Sequence, residues 1–398
     1  MADGATVARE HGVYVHFPWC LRKCPYCDFL SIARDPATLP HDIYADAILS
    51  ERRRRLVDAD LGAVASVFFG GGTPSLWLPA ALGRVLAGVA PERSTSVEVT
   101  VECNPSSLDE DKARALRDVG VNRLSIGVQS LARSTLEFLG RWHGPEDALR
   151  ALNDARRAGI PRVSADLIIG VHGQRPEHAA EEARRLLDTG ITHLSAYTLT
   201  IEPGTQFGQR QRAGVLPLLD ESTVADCYLA VEAVALQAGL AHYEISNYAR
   251  PGDESRHNLG YWRGAPYLGL GVGAWGTLPG PQGHHRYRNT VRPDLYLTPG
   301  VWDEADLSVA SADGLQRERE ELSPDTTLSE RIMLGLRLSE GLDLEAAAQE
   351  LGTDPWPPAR RRAAEKWLAR GGLRQRGNTL FLAPEAWLHA DGILAELM

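Results

Sequence analysis

Long apolar runs are missing from this sequence; none approaches the roughly 20 residues that a membrane-spanning helix needs. An excess of basic charge is missing too. Lysine and arginine number 42 against 52 aspartate and glutamate, a formal net charge of −10. A general nucleic-acid or anionic-membrane binder wants a basic surface, so neither partner is expected. The opening stretch, MADGATVAREHG, has no basic segment leading into an apolar one, so a cytoplasmic protein is expected rather than a secreted one. Cysteine is scarce and odd in number, with five residues. In a reducing compartment that excludes a disulfide framework as the organising principle.

What is present is ordinary globular composition, 43% hydrophobic and 24% charged over 398 residues, enough for one large domain and a smaller one. From Val13 to about Thr200, β-rich runs alternate with helical stretches. Candidate strands are Val13–Phe17, Ser66–Phe69, Val97–Val101, Arg123–Val128, Val163–Ile169 and His193–Leu199. Helical patterning between them includes Ile43–Leu56, Asp109–Val119, Pro145–Ala158 and Pro176–Leu187, with Gly120, Gly159 and Gly190 placed as C-terminal caps. Six strand–helix units in succession imply a parallel sheet. A complete eight-unit barrel takes about 250 residues, so the expected fold is α/β, an incomplete (β/α)6 barrel with its ligands at the C-terminal strand ends.

The expected division is 1–240 for the partial barrel, 241–322 for an aromatic- and Gly-rich region with little helical periodicity, and 323–398 for a smaller C-terminal domain. That last part is read as mainly helical and ending in a β-hairpin (Leu373–Arg376 and Thr379–Leu382), in a winged-helix-like order; packing or protein interaction is expected of it before DNA binding.

Three of the five cysteines, Cys20, Cys24 and Cys27, fall within eight residues, just after the first candidate strand. Thiolates are soft ligands for zinc or iron–sulfur. A closed zinc site wants four protein ligands, and here Cys103 or His16 could supply the fourth only through the fold. Three thiolates on a [4Fe–4S] cluster would leave one iron open to an exchangeable ligand. The sequence HFPWCLRKCPYCDF resembles the signature of the radical S-adenosylmethionine (SAM) superfamily, in which that open iron chelates the amino and carboxylate groups of SAM.

Other polar positions recur at successive strand ends: the turn Gly70-Gly71-Gly72-Thr73-Pro74, then Glu102, Gln129 and Asp166, with Arg141 just beyond. Any one of these reads equally well as a satisfied polar group at a barrel mouth. YVHFPWC, FFGGGTPS, VECNP, SIGVQS, ADLIIG, YTLTIEPGT, YEISNYA and HNLGYW together resemble the coproporphyrinogen-dehydrogenase-like branch of the superfamily, and within it the haem chaperones. The resemblance implies that Tyr14, Gly71, Gly72, Glu102, Gln129, Arg141 and Asp166 contact SAM, with Thr200 matching less securely. It also implies haem as a bound group and acceptor haemoproteins as partners. Any membrane contact would then be weak and come through those acceptors, and the chain would be a monomer or homodimer.

Departures from the dehydrogenases bear on the choice within the branch. Their further cysteine, two residues after the third, is Phe29 here, and their longer N-terminal arm has no counterpart in the 19 residues before Cys20. Val171-His172-Gly173-Gln174-Arg175 also stands where the family usually has Leu-Pro-x-Gln-Thr. His257 of HNLGYW is a candidate axial haem ligand, though such a histidine also caps turns or packs. Tyr261 and Trp262 are expected over the porphyrin face, and Arg256 and Arg263 against its propionates. A haem chaperone is therefore the expected function, oxygen-independent coproporphyrinogen III decarboxylation the alternative, and a zinc-stabilised interaction protein a third.

Overall fold

The computed structural model describes residues 10–57, 61–92, 94, 96–280 and 283–398. Residues 1–9, part of the stretch bearing on a secretory leader, lie outside these. Among the described residues no helix is long and apolar enough to cross a membrane.

Six parallel strands form the centre: β1 (Glu10–Phe17), β2 (Ala63–Gly71), β3 (Glu98–Cys103), β4 (Arg123–Gln129), β5 (Arg162–Ile169) and β6 (His193–Thr198). They neighbour one another in sequence order. Their connections include α1 (His41–Arg55), α2 (Pro79–Val89), α3 (Glu110–Asp118), α4 (Arg133–Phe138), α5 (Pro145–Arg157) and α6 (Pro176–Leu187). Period-two alternation sorts each strand. On β1, Val13, Val15 and Phe17 join the apolar core, while on the other face Tyr14 meets both Phe68 and His16. Helix termini follow local chemistry: the Asp109 side chain accepts from Lys112 N–H to start α3, and Gly120, Gly159 and Gly190 all take positive φ where helices stop.

The sheet does not stop at six strands. After α7 (Gln206–Arg212) and α8 (Glu221–Gln237) come β7 (Ala241–Glu244) and β8 (Asn247–Ala249), and β8 pairs antiparallel with β6. At the other edge β9 (Tyr267–Leu270) pairs parallel with β1, followed by β10 (Trp275–Gly280), β11 (Gly283–Asn289) and β12 (Gln316–Leu322). The 241–322 stretch, expected to show little helical periodicity, thus extends the sheet at both edges, antiparallel throughout except where β9 joins β1 in parallel. Its aromatics hid the strands because many serve the core: Tyr287, Tyr296 and Trp302 are buried there. Between β8 and β9 lies one short helix, α9 (Arg256–Trp262), which holds most of HNLGYW.

A separate apolar core gathers Leu328, Ile332, Leu344, Leu373, Leu380 and Trp387. Its elements are α10 (Pro324–Gly335), β13 (Leu342–Asp343), α11 (Leu344–Leu351), α12 (Pro358–Ala369), the hairpin β14 (Leu373–Arg376) and β15 (Thr379–Leu382), and α13 (Ala390–Leu397). The hairpin is not the final element, since α13 follows it and buries Ile393, Leu394 and Leu397.

Candidate functional site

The chain leaves β1 into the loop that carries Cys20, Cys24 and Cys27, at the C-terminal end of the parallel strands. Three contacts hold this loop. Trp19 and Cys20 pair with Ile32 and Ala33. Gly72 N–H donates to Phe17 O (2.7 Å) and Thr73 N–H to Trp19 O (2.9 Å), stitching the glycine turn to the loop. His16 spans the third: its Nε2 lies 2.8 Å from Leu30 O and its Nδ1 2.9 Å from the Tyr14 hydroxyl. Burial lowers the His16 pKa to about 4, so the ring is neutral; Nε2–H then donates to Leu30 O and Nδ1 accepts from Tyr14.

Gly71 and Gly72 of the turn are required by their surroundings. Gly71 sits at φ +109°, and a Cβ there would lie 2.4 Å from the His16 ring. A Cβ on Gly72 would meet Trp19 O and Phe17 O at 2.7 and 2.8 Å. The reason for glycine is thus close backbone approach as well as dihedral freedom.

The polar residues converge on the same end. Gly71 N–H donates to Glu102 Oε2 at 2.9 Å. Burial pushes the Glu102 pKa up to about 7; that amide opposes the rise and Asp166 adds to it. Asp166 is likewise raised by burial, and Ser125 Oγ donates to its carboxylate at 3.0 Å. Arg141 Nη1 reaches Cys24 Sγ (3.6 Å) while Nη2 donates to Gly127 O (2.9 Å). Gln129 holds φ 67°, alone among the described non-glycine residues in being positive. A strained residue at a strand end beside this cluster is the kind of position that serves binding. Thr73 Oγ1 donates to Cys20 Sγ at 3.4 Å.

The structure therefore brings Cys20, Cys24, Cys27, Gly71, Gly72, Glu102, Gln129, Arg141 and Asp166 to one mouth. Tyr14 lies deeper, its hydroxyl committed to His16, and Thr200 is exposed beyond β6. His16, a possible metal ligand by sequence, instead positions the loop. Its positioning role was legible only as shared parity with Tyr14 on the inner face of β1.

His257 is elsewhere. Its helix lies at the N-terminal end of the strands, against Gly12 of β1 and Ser66 of β2, while its ring stacks on Phe68 and lies 6.5 Å from Tyr14, one layer below the mouth. Ser66 Oγ lies 2.8 Å from Nδ1 and the Tyr261 hydroxyl 2.9 Å from Nε2. Burial drives its pKa down to about 3. Buried Glu98 accepts from the N–H groups of Arg256 (3.1 Å) and His257 (3.0 Å) and pairs with Arg162, fastening α9 to the sheet. A cavity of about 640 Å³ opens here, with His11, Arg256, His257, Tyr261, Arg263 and Tyr267 among its lining. Trp262 does not join Tyr261 there; the Arg337 guanidinium lies 6.0 Å from its ring centroid. Arg263 is held by Glu340 and Arg256 by Ser96 O, so the propionate roles expected of these arginines would require both to give up present partners.

Comparison with known proteins places this geometry. Residues 14–186 match the radical SAM superfamily model, and 322–389 match the HemN C-terminal domain. The heme chaperone HemW of Mycobacterium tuberculosis is 35% identical over 392 residues, 97% of this chain and 94% of that protein. HemW of Escherichia coli is 38% identical over 303 residues, 76% of this chain and 79% of that protein. The chain belongs to the HemW family. In fold it matches the coproporphyrinogen III oxidase HemN of Escherichia coli, a radical SAM enzyme, with a TM-score of 0.79 and 21% identity over 98% of this chain and 90% of that one.

For a HemW-family chain the radical SAM fold implies a [4Fe–4S] cluster and SAM, and the residues present fit both. Among the described residues no three His, Cys, Asp or Glu side chains are grouped around one point as a single metal ion would need. A four-iron cube instead takes one sulfur per iron and suits three separate thiols on one loop. Burial raises the Cys20 and Cys27 thiols; Cys27 and Cys24 add to the rise at Cys20, and Cys24 adds to it at Cys27. A cluster's positive irons relieve that penalty. Glu102, Asp166 and Arg141 provide both charge signs for a zwitterionic, cationic-sulfonium ligand.

Proposed function

We propose that this protein is a haem chaperone: it binds a [4Fe–4S] cluster through Cys20, Cys24 and Cys27, SAM through the mouth residues, and haem, which it hands to acceptor haemoproteins. The observation that carries the reading is the cavity beside HNLGYW, walled by the very helix whose motif marks the chaperone side of the resemblance and placed away from the cluster. At about 640 Å³ it lies within the range of pockets that take large organic ligands.

In this reading His257 is the axial ligand. Its neutral imidazole suits iron, and Nε2 becomes available once the Tyr261 hydroxyl turns away. Phe29, exposed where the dehydrogenases carry their further cysteine, supports a carrier over a decarboxylase. When bound, the cluster and SAM supply one-electron chemistry. The chain's own part is to hold the loop through His16, to orient SAM between Glu102 and Arg141, and to screen the haem cavity with α9. We take the division at 240 and 322 as marking the barrel, its α9-bearing extension and the C-terminal domain.

Haem titration tests this, with protoporphyrin IX as the iron-free control. Wild type is expected to give a Soret band and to prefer haem, and His257→Ala to lose that preference. Equal affinity of wild type for both porphyrins would remove His257 as ligand; no binding of either would overturn the chaperone reading.

A further inference from the structure

Strand β4 reaches the mouth through an irregular end. Ile126 stands opposite Ala165 of β5 but Gln129 opposite Leu167, so β4 uses one residue more than its neighbour there. An extra residue of this kind re-aims a side chain. Ser130 N–H then donates to Val128 O at 2.9 Å across Gln129, whose φ is 67°. That bond with that dihedral is a γ-turn of the rare, strained kind, which lasts only where its surroundings over-determine it. Its product is the placement of the Gln129 carboxamide. Nε2 folds back over Gly127, 2.6 Å from where a Cβ would stand, with Arg141 Nη2 at 3.5 Å from the same point. Gly127 is small for that reason, and the two polar head groups share one spot at the mouth.

Three side chains grip the peptides of the turn. Arg141 Nη2 donates to Gly127 O (2.9 Å) and His143 Nε2–H to Val128 O (2.9 Å). Burial lowers the His143 pKa to about 4, with Arg141 adding, so that ring is neutral. The third is Glu182 of α6, buried behind the mouth. Its Oε1 accepts from the Ser130 hydroxyl (2.5 Å) and from Leu131 N–H (2.9 Å), and its Oε2 from Gln174 Nε2 (3.4 Å). Gln174 Oε1 in turn accepts from Gly170 N–H (2.8 Å). A buried carboxylate needs donors, and these come from the two loops that follow β4 and β5. Gln174 is also the residue that the 171–175 segment keeps in common with Leu-Pro-x-Gln-Thr. We propose that Glu182 is a positioning residue for SAM: it locks Gln129 in the strained turn and so keeps the carboxamide beside Arg141, where the pair meets the ligand. Glu182 itself touches no ligand and acts through Gln129. The inference rests on the reading of Gln129 and Arg141 as SAM contacts.

The test uses anaerobic, cluster-reconstituted full-length protein, with iron, sulfide and thermal midpoint measured before SAM affinity is read by equilibrium dialysis. Glu182→Ala is expected to keep its cluster and bind SAM about tenfold more weakly, the usual scale for a lost outer support. Glu182→Gln keeps an acceptor oxygen for Ser130 and Leu131 and should restore most of that affinity. Gln129→Ala should also weaken binding, and the double variant Gln129→Ala/Glu182→Ala should bind no more weakly than Gln129→Ala alone. A merely structural role would lower the thermal midpoint without this non-additivity. Glu182→Asp, which keeps the buried charge but cannot span both loops, takes the place of Glu182→Ala in the cycle if the alanine variant does not fold. Additive losses in the cycle, or wild-type affinity in the alanine or aspartate variant of Glu182, would overturn the proposal while leaving the SAM reading in place. Wild-type affinity in Gln129→Ala would overturn the reading of that residue, and the proposal with it.

Discussion

Glu102 offers the sharpest handle on the SAM site because its environment sets a number. Burial raises its pKa to about 7, with Asp166 adding to the rise and the Gly71 amide opposing it. A ligand carrying an ammonium or sulfonium charge binds the ionised carboxylate, so a proton on Glu102 competes with SAM. At pH 6, one unit below that pKa, about nine sites in ten hold the proton, and affinity falls about tenfold from its high-pH limit. SAM's own amino group contributes its slope to every variant alike, so the difference between wild type and Glu102→Gln isolates this carboxyl. Equilibrium dialysis of SAM against cluster-loaded protein from pH 5.5 to 8.5 is the assay. The glutamine variant is expected to bind more weakly at pH 8 by about 1–3 kcal/mol, the scale of a charge-assisted contact, and to lack the extra slope.

Folding supplies an internal control. Because the folded pKa lies above the unfolded 4.5, the group's stabilising contribution is complete below pH 4.5 and is lost as pH rises through 7. The cost at pH 8 is about 3 kcal/mol. Glu102→Gln should therefore be at least as stable as wild type at pH 8 in the absence of ligand. Identical pH slopes for the two proteins would refute the assignment of Glu102 to the cationic part of SAM.

Other perturbations follow from the same geometry. Alanine at Cys20, Cys24 or Cys27 should abolish four-iron absorbance while Cys103→Ala and Cys227→Ala retain it; cluster loss in Cys103→Ala would mean a fourth protein ligand and leave no open iron for SAM. Gly71→Ala combines a disfavoured φ with a Cβ 2.4 Å from His16 and should cost about 2–4 kcal/mol, whereas Gly173→Ala, with nothing within 4 Å of the new Cβ, should cost about 1 kcal/mol; equal thermal shifts would contradict this. Glu98→Gln removes the charge opposite Arg162 and weakens the anchor of α9. A loss of about 3 kcal/mol with faster hydrogen exchange in α9 is expected, and unchanged exchange there would show the anchor to be idle.

The parallel half of the fold was legible because each unit repeats one physical pattern: an apolar alternating strand, an amphipathic helix and a glycine cap, as at Gly120 and Gly159. The mouth residues were legible for the same reason, since Glu102, Gln129 and Asp166 interrupt apolar strands toward their C-terminal ends. The edge strands were not. Strands β9–β11 are rich in glycine, histidine and aromatics, and Gly269 and Gly276 are small because Trp275 O and the Tyr287 ring occupy the space of a side chain. Such spacing carries no periodic signal. Nor could local sequence tell that HNLGYW folds onto the far end of the barrel. That placement depends on Glu98, some 160 residues earlier, accepting two amides of α9.

On the proposed function, this radical SAM scaffold carries haem and does not decarboxylate a porphyrinogen. One sample tests it: anaerobic, cluster-reconstituted, reduced protein supplied with SAM, titrated with haem and then incubated with coproporphyrinogen III, with the porphyrin products separated chromatographically. A Soret band that shifts or weakens in His257→Ala, together with unconverted coproporphyrinogen, is the predicted result. SAM-dependent formation of protoporphyrinogen IX would contradict it.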